Sequence, residues 1–246
     1  MIQLAMVDFD DTLVATGPRF RVRREALFDR LEHLGFPRAR SWSVHHEIVD
    51  RELLDLWGFG PFRLGASFRD TYYRLCSQAG RTPDPDVAME LEALADGIES
   101  PPPLIPGALE GLRQLVAACP TALYTQSSYP DFQAYCIEAS GVLEVVPRER
   151  VVITPVKDVD SYRRAVETVD GGPPGHSVMI GNSMRSDVNP AIEAGAQAIW
   201  IDSGDPWHAD HAPPIVEAIP RADSFAEAVQ MLLDGGLGVR GRAAGE

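Results

Sequence analysis

Lysine is almost missing from this 246-residue chain: of 22 basic residues, Lys157 is the single lysine and the rest are arginine. Cysteine is scarce too. Cys76, Cys119 and Cys136 are odd in number and show no C-x-x-C spacing, which favours free thiols in a reducing compartment over a disulfide framework or zinc site. Positive charge is short overall. A net charge of −14 argues against a polyanion-binding surface and so against nucleic acid as a partner. No apolar run approaches the roughly 20 residues of a membrane span, and the first residues show no basic region leading into an apolar stretch and a cleavage site. These absences imply a cytoplasmic protein with no membrane partner. What is present, 45% hydrophobic and 24% charged residues, is the composition of an ordinary globular protein with a sizeable core.

The most informative stretch is Leu4-Ala5-Met6-Val7-Asp8-Phe9-Asp10-Asp11-Thr12, a short apolar run that stops abruptly at three carboxylates and a hydroxyl. Its length and lack of helical spacing predict a buried strand. Asp8 and Asp10 at its end lie close together, and like charges in proximity are costly unless a cation or a shared proton separates them. A hard divalent cation such as Mg²⁺ resolves that conflict with oxygen ligands.

Beyond a turn at Ala15-Thr16-Gly17-Pro18, four amphipathic helical patterns follow one another. Their apolar faces are Val22, Leu27, Leu31 and Leu34; then Ile48, Val49, Leu53, Leu56 and Trp57; then Phe68, Tyr72, Leu75 and Ala79; then Val87, Leu91, Leu94 and Ile98. His45-His46 falls in this block, and because adjacent helical positions point apart, a solvated pair is expected there rather than a metal site. Pro101-Pro102-Pro103 ends the block as a stiff connector. Strands and helices then alternate. Strands are predicted at Ala122–Thr125, Val151–Ile153, Val178–Ile180 and Ala198–Ile201, with helices at 132–139, 161–169, 189–194 and 225–233. The alternation argues for an α/β fold with a doubly wound, mostly parallel sheet covered on both faces. The expected organisation is a core of residues 1–16 and 104–234, an inserted helical cap at 17–103, and a mobile tail at 235–246. Ligands of such sheets bind at the carboxyl ends of the strands. The insertion leaves the core beside Asp8 and Asp10, which suggests a lid.

Four clusters fall just after predicted strands: Asp8-x-Asp10-x-Thr12; Thr125-Gln126-Ser127; Lys157; and Gly181-Asn182-Ser183-Met184-Arg185-Ser186-Asp187. In this order they resemble the four motifs of the haloacid dehalogenase (HAD) superfamily over nearly the whole chain, with the helical insertion placed as in its C1-capped, phosphatase-type members. The residue types suggest their roles. Asp8 is the candidate nucleophile, forming an aspartyl-phosphate, and Asp10 the acid that protonates the leaving oxygen and then activates water. Thr125 would offer its hydroxyl to the transferring phosphoryl group, and Lys157 would neutralise developing charge and keep Asp8 ionised. A lone lysine in an arginine-rich chain suggests that a compact ammonium is required there. Thr12, Gln126 and Ser127 are candidates for substrate contact. So are Arg19, Arg23 and Arg24 at the start of the insertion, with a solvated helix face as the competing explanation.

The resemblance implies Mg²⁺ held by Asp8, the Asp10 backbone carbonyl and the fourth motif. There the chain departs from the common pattern, with Asn182 where an aspartate is usual. Asparagine offers an oxygen without charge, so Asn182 and Asp187 both stand as ligand candidates. The implied activity is Mg-dependent hydrolysis of a small phosphorylated metabolite. Asp10 argues against carbon–halogen cleavage, which needs no proton donor to an oxygen leaving group. A phosphotransferase or mutase, and a non-catalytic binding domain on the same fold, are the rival readings.

Overall fold

The computed structural model describes residues 2–202, 204 and 211–235. Its described residues hold a six-stranded, all-parallel sheet in the order β3-β2-β1-β4-β5-β6. The strands are β1 (Leu4–Val7), β2 (Thr121–Gln126), β3 (Val151–Thr154), β4 (Ser177–Gly181), β5 (Gln197–Ile201) and β6 (Arg221–Ala222). β1 sits centrally between β2 and β4, at the point where the strand order reverses, which is where open α/β sheets bind ligands.

Period-2 alternation sends the strand side chains to two apolar layers. Ala5, Val7, Leu123, Val178, Ile180 and Ile199 pack on one face with Leu112, Leu115, Ile137, Phe225, Val229 and Leu232. These last come from α6 (Ala108–Ala118), α7 (Pro130–Ala139) and α10 (Phe225–Leu233). Leu4, Met6, Ala122, Tyr124, Met179 and Ala198 pack on the other, against α8 (Val159–Thr168) and α9 (Asn189–Glu193) through Tyr162, Val166 and Ala191. Burial on both faces is why the strands read as near-continuous apolar runs. The predicted strands and core helices are all present. β6, only two residues long and led by an exposed Arg221, has too little apolar pattern to be read from sequence.

Contact clustering divides the chain into a unit of 1–17 with 101–246 and a unit of 18–100. Inside the first unit, Ala15 N donates to Pro103 O (2.8 Å) and Val14 bridges Leu104, so the outgoing and returning chain run side by side. The second unit is helical: α1 (Gly17–His33), whose first residue belongs to the other unit, α2 (Arg38–Ser43), α3 (Asp50–Trp57), α4 (Leu64–Gln78) and α5 (Pro85–Ala93). Its core is Leu27, Leu31, Phe68, Tyr72, Leu75 and Leu91 with their neighbours. Two predicted faces need trimming: Val22 is 68% and Leu56 75% exposed. α2 is missing from the sequence reading because its residues, Arg-Ala-Arg-Ser-Trp-Ser, carry no apolar stripe. The expectation for 235–246 lies, beyond Gly235, outside the described residues.

The expected solvated histidine pair is instead buried. A π-helical turn at Val44–Val49 adds a residue to the helical turn and brings both rings inward. They meet edge to face at 4.9 Å, and Phe28 packs beside them. Thr71 Oγ1 gives its proton to Ser67 O (2.6 Å), so the His45 Nδ1 contact at 3.1 Å has the ring nitrogen as donor. The neutral and the charged ring both allow that contact. Burial, reinforced by the Arg24 charge, pushes the His45 pKa well below the ordinary value, with Asp50 opposing. Such a ring takes up a proton on unfolding but not before. Stability should therefore fall by about 1.4 kcal/mol per pH unit once the pH drops below about 6.5. Thermal unfolding between pH 7 and pH 5.5 checks this: the melting temperature should drop, and His45→Phe should flatten the drop.

Candidate active site

Each chemical side chain at the sheet's carboxyl edge is placed by the element before it. Asp8 follows β1, and its N–H donates to Ile180 O of β4 (3.0 Å), which extends the sheet ladder to the carboxylate itself. Lys157 comes just ahead of α8, whose start is fixed by a reciprocal Asp158–Ser161 capping box. Asp187 sits in a π-helical turn, Met184–Val188, that follows β4 and is capped by Ser183 Oγ accepting from Ser186 N (3.1 Å).

These three meet. Lys157 Nζ donates to Asp8 Oδ1 at 2.5 Å and to Asp187 Oδ1 at 2.6 Å, with all three residues at most 6% exposed. The Tyr124 ring lies 5.0 Å from the ammonium, and its hydroxyl bonds Ser161 Oγ (2.7 Å). Burial pushes the Asp8 pKa up. Lys157 opposes this, the Asp187 charge adds to it, and the net result is a carboxyl above its usual range. Burial pulls Lys157 down, but Asp187 and Asp8 outweigh it, and the ammonium holds its proton more tightly than a free lysine. Asp187's second oxygen accepts from Ser183 N (2.9 Å), so each oxygen of this carboxylate has one protein donor. It packs directly on Gly181, where an added Cβ would come within 2.4 Å of Asp187 Oδ2.

Asp10 is held separately. Thr16 Oγ1 donates to its Oδ1 (2.5 Å) and Gln133 Nε2 to its Oδ2 (2.6 Å), while the same Nε2 lies 3.0 Å from Thr125 Oγ1. The intervening Asp11 has φ of 57° and accepts from Gly17 N (2.7 Å), which shapes the turn that brings Thr16 back to Asp10. Thr12 Oγ1 lies 3.5 Å from Asn182 Oδ1, at the limit of a hydrogen bond, and Asn182 O accepts from Trp200 Nε1 (2.9 Å). Ser127 closes its own turn through Tyr129 N (3.0 Å), and Gln126 donates to Pro155 O (3.1 Å).

The arginines proposed from sequence to meet substrate have other work. Arg19 donates to Ser100 O (2.6 Å), Gly97 O (2.9 Å) and Ile98 O (3.1 Å), and Arg23 to Asp96 O (3.0 Å). Arg24 is buried beside Asp50, with which Arg63 also pairs at 3.2 Å. The Arg19 and Arg23 guanidinium groups tie the start of α1 to the end of the same unit, whose last turns leave carbonyls without helical partners. Sequence reading overlooked Thr16, Tyr124 and Gln133 as site residues. Only Gln133 left a signal: it occupies the buried stripe of α7 with Cys136 and Ile137, where a polar side chain needs a partner.

Among the described residues no three His, Cys, Asp or Glu side chains converge on a point that could hold a metal ion. The donor chemistry nevertheless suits a hard cation. Asp8 and Asp187 share one ammonium, the Asp10 charge acts on Asp8, and Asn182 adds a neutral oxygen beside Thr12. Mg²⁺ asks for only one or two carboxylates, with waters and substrate oxygens completing its shell.

Residues 158–228 match the family model described as "HAD-hyrolase-like", a span that contains Asn182 and Asp187. No curated protein sequence matches the chain significantly. Among solved structures, a haloacid dehalogenase-like family hydrolase from Xanthomonas campestris is 25% identical, with TM-score 0.73, covering 96% of this chain and 94% of its own. A HAD family hydrolase from Deinococcus radiodurans, with bound phosphate and sodium, is 18% identical with TM-score 0.60, covering 98% and 99%. L-2-haloacid dehalogenase from Xanthobacter autotrophicus is 14% identical with TM-score 0.57, covering 95% and 99%. The parallel sheet, with its lysine-bridged carboxylates at the switch point, defines a Rossmann-like α/β protein of the HAD fold. Residues 158–228 carry the HAD-hydrolase-like match, and the chain shares its fold with HAD family hydrolases.

Removing the ammonium should leave buried carboxylates uncompensated. Lys157→Met is expected to lose about 3–5 kcal/mol of stability at pH 7.5. The loss should shrink at pH 5, where Asp8 can take up a proton instead. Urea unfolding at the two pH values checks both. Gly181→Ala should displace Asp187 and cost more activity than stability, measured by turnover and by melting temperature on one preparation.

Proposed function

We propose that this protein is a Mg²⁺-dependent phosphomonoester hydrolase acting on a small phosphorylated metabolite through an aspartyl-phosphate on Asp8. The observation that carries the reading is the fixed position of Asp10. Two donors hold its carboxyl two residues beyond the nucleophile. Cleaving a phosphate ester requires a proton for the departing oxygen and then a base for water. Displacing halide from carbon requires neither donor.

In the first half-reaction an Asp8 carboxylate oxygen attacks phosphorus. The Asp8–phosphorus bond forms, the ester oxygen–phosphorus bond breaks, and the Asp10 carboxyl proton moves to the leaving oxygen. In the second, Asp10 takes a proton from water, whose oxygen attacks the same phosphorus. Inorganic phosphate leaves and Asp8 is regenerated. Lys157 offsets the repulsion between the Asp8 carboxylate and an incoming phosphate dianion. Thr125 accepts from Gln133, which leaves its own proton free for a phosphoryl oxygen. Asp8, the Asp10 carbonyl and Asn182 would hold Mg²⁺, whose charge stabilises the phosphoryl oxygens. Asp187 fixes Lys157 through Oδ1 and stays a second candidate for the metal, through the lone pairs that Lys157 and Ser183 leave open.

A panel of phosphomonoesters assayed for phosphate release, with EDTA and with Mg²⁺ restored, tests the proposal against halide release from 2-haloacids. Phosphate release that EDTA stops and Mg²⁺ restores is expected. Halide release alone would overturn the reading, and phosphate passed mainly to an added alcohol or sugar would make the enzyme a transferase. Asp8→Asn should reduce turnover to background with the fold retained, and Asp10→Asn should cost about 10²–10⁴-fold in kcat for alkyl phosphates.

A further inference from the structure

We infer that Gln133 is a positioning residue that aims Asp10 at the leaving oxygen and sets the direction of the Thr125 hydroxyl. The inference rests on the phosphohydrolase reading above. Gln133 lies on α7, is 6% exposed, and places one amide nitrogen 2.6 Å from Asp10 Oδ2 and 3.0 Å from Thr125 Oγ1. The amide has two protons, one for each contact. Both acceptors stand at the carboxyl ends of neighbouring strands, Asp10 just past β1 and Thr125 within the last turn of β2. The amide therefore ties the proton-transfer group to the group that would grip phosphate.

The residue type fits this task. An arginine or lysine at 133 would pin Asp10 in its charged form, whereas Asp10 has to hold a proton in one half of the reaction and release it in the other. A primary amide presents a donor to a carboxylate and, turned over, an acceptor to a carboxylic acid, so it steadies the side chain in both states. Thr16 completes the arrangement from the opposite side with its 2.5 Å bond to Oδ1. With an anchor on each oxygen, rotation about the Asp10 side chain is blocked. A misplacement of the order of 1 Å in a reacting group can cost about 100-fold in rate.

The test separates this role from a packing role through the leaving group. An alkyl phosphate needs its departing oxygen protonated, while p-nitrophenyl phosphate departs as a stable phenolate and needs little help. In Gln133→Met, which keeps volume but removes the amide, kcat for an alkyl phosphate should fall about tenfold or more beyond any fall for p-nitrophenyl phosphate. Thr16→Val, nearly isosteric and outside the helix, should show the same selective loss if Gln133→Met proves unstable. The Thr125 arm predicts an added rise in KM for both substrates in Gln133→Met but not in Thr16→Val. Equal losses for the two leaving groups in both variants, or no loss in either, would overturn the inference. Wild-type protein that releases no phosphate from any ester would instead sink the phosphohydrolase reading itself, so the two failures are distinguishable.

Discussion

The ammonium of Lys157, shared between Asp8 and Asp187, is the contact on which the arrangement of this protein depends. Its three members come from widely separated parts of the chain, at residues 8, 157 and 187, and each is almost wholly removed from solvent. Buried charges of this kind are costly unless pairing and hydrogen bonding are nearly complete, and a small error in position would forfeit the Coulombic return. The parallel sheet supplies the required precision. β1 and β4 are registered residue for residue from Leu4–Ser177 to Val7–Ile180, and the ladder bond from Asp8 N to Ile180 O carries that registration to the first carboxylate.

One positive charge against two carboxylates leaves an excess of negative charge, and Asp10 increases it. This surplus distinguishes the site from a structural ion pair, which is normally balanced. It also separates the acidic residues by task. Asp187 spends both oxygens on Lys157 and the Ser183 N–H, whereas Asp8 spends only Oδ1 on Lys157 among the described contacts. Asp10 is gripped by neutral donors alone. Under the proposed hydrolase reading, Asp8 beside the ammonium is the nucleophile and Asp10, beside an amide and a hydroxyl, moves protons.

Much of this was legible before any coordinates. The strands of the sheet are buried on both faces, so their apolar runs stand out from amphipathic helices. Asp8, Thr125, Lys157 and Asn182 all follow such runs, and strand ends are where an open α/β sheet exposes its chemistry. What escaped notice was set by tertiary contact. Whether His45-His46 faced solvent depended on a π-helical turn, whose extra residue cannot be deduced from periodicity. Arg19, Arg23 and Arg24 read equally as anion binders or a solvated helix face, because a guanidinium reads the same whether its partner is a phosphate, a helix-end carbonyl or a buried carboxylate. Gln133 and Thr16 are ordinary polar residues until the fold brings them against Asp10.

The paired crossing at Ala15–Pro103 and Val14–Leu104 has an evolutionary consequence. To the sheet, the 83 residues of the helical unit are a closed appendage whose two ends are already stitched together. Loop-closure entropy grows only logarithmically with length, so an appendage of quite different size costs the host little more. Exchange, enlargement or loss of that appendage could proceed without disturbing the buried charges beneath the strand ends. A lineage could thus remodel the helical unit while conserving the sheet and its buried charges.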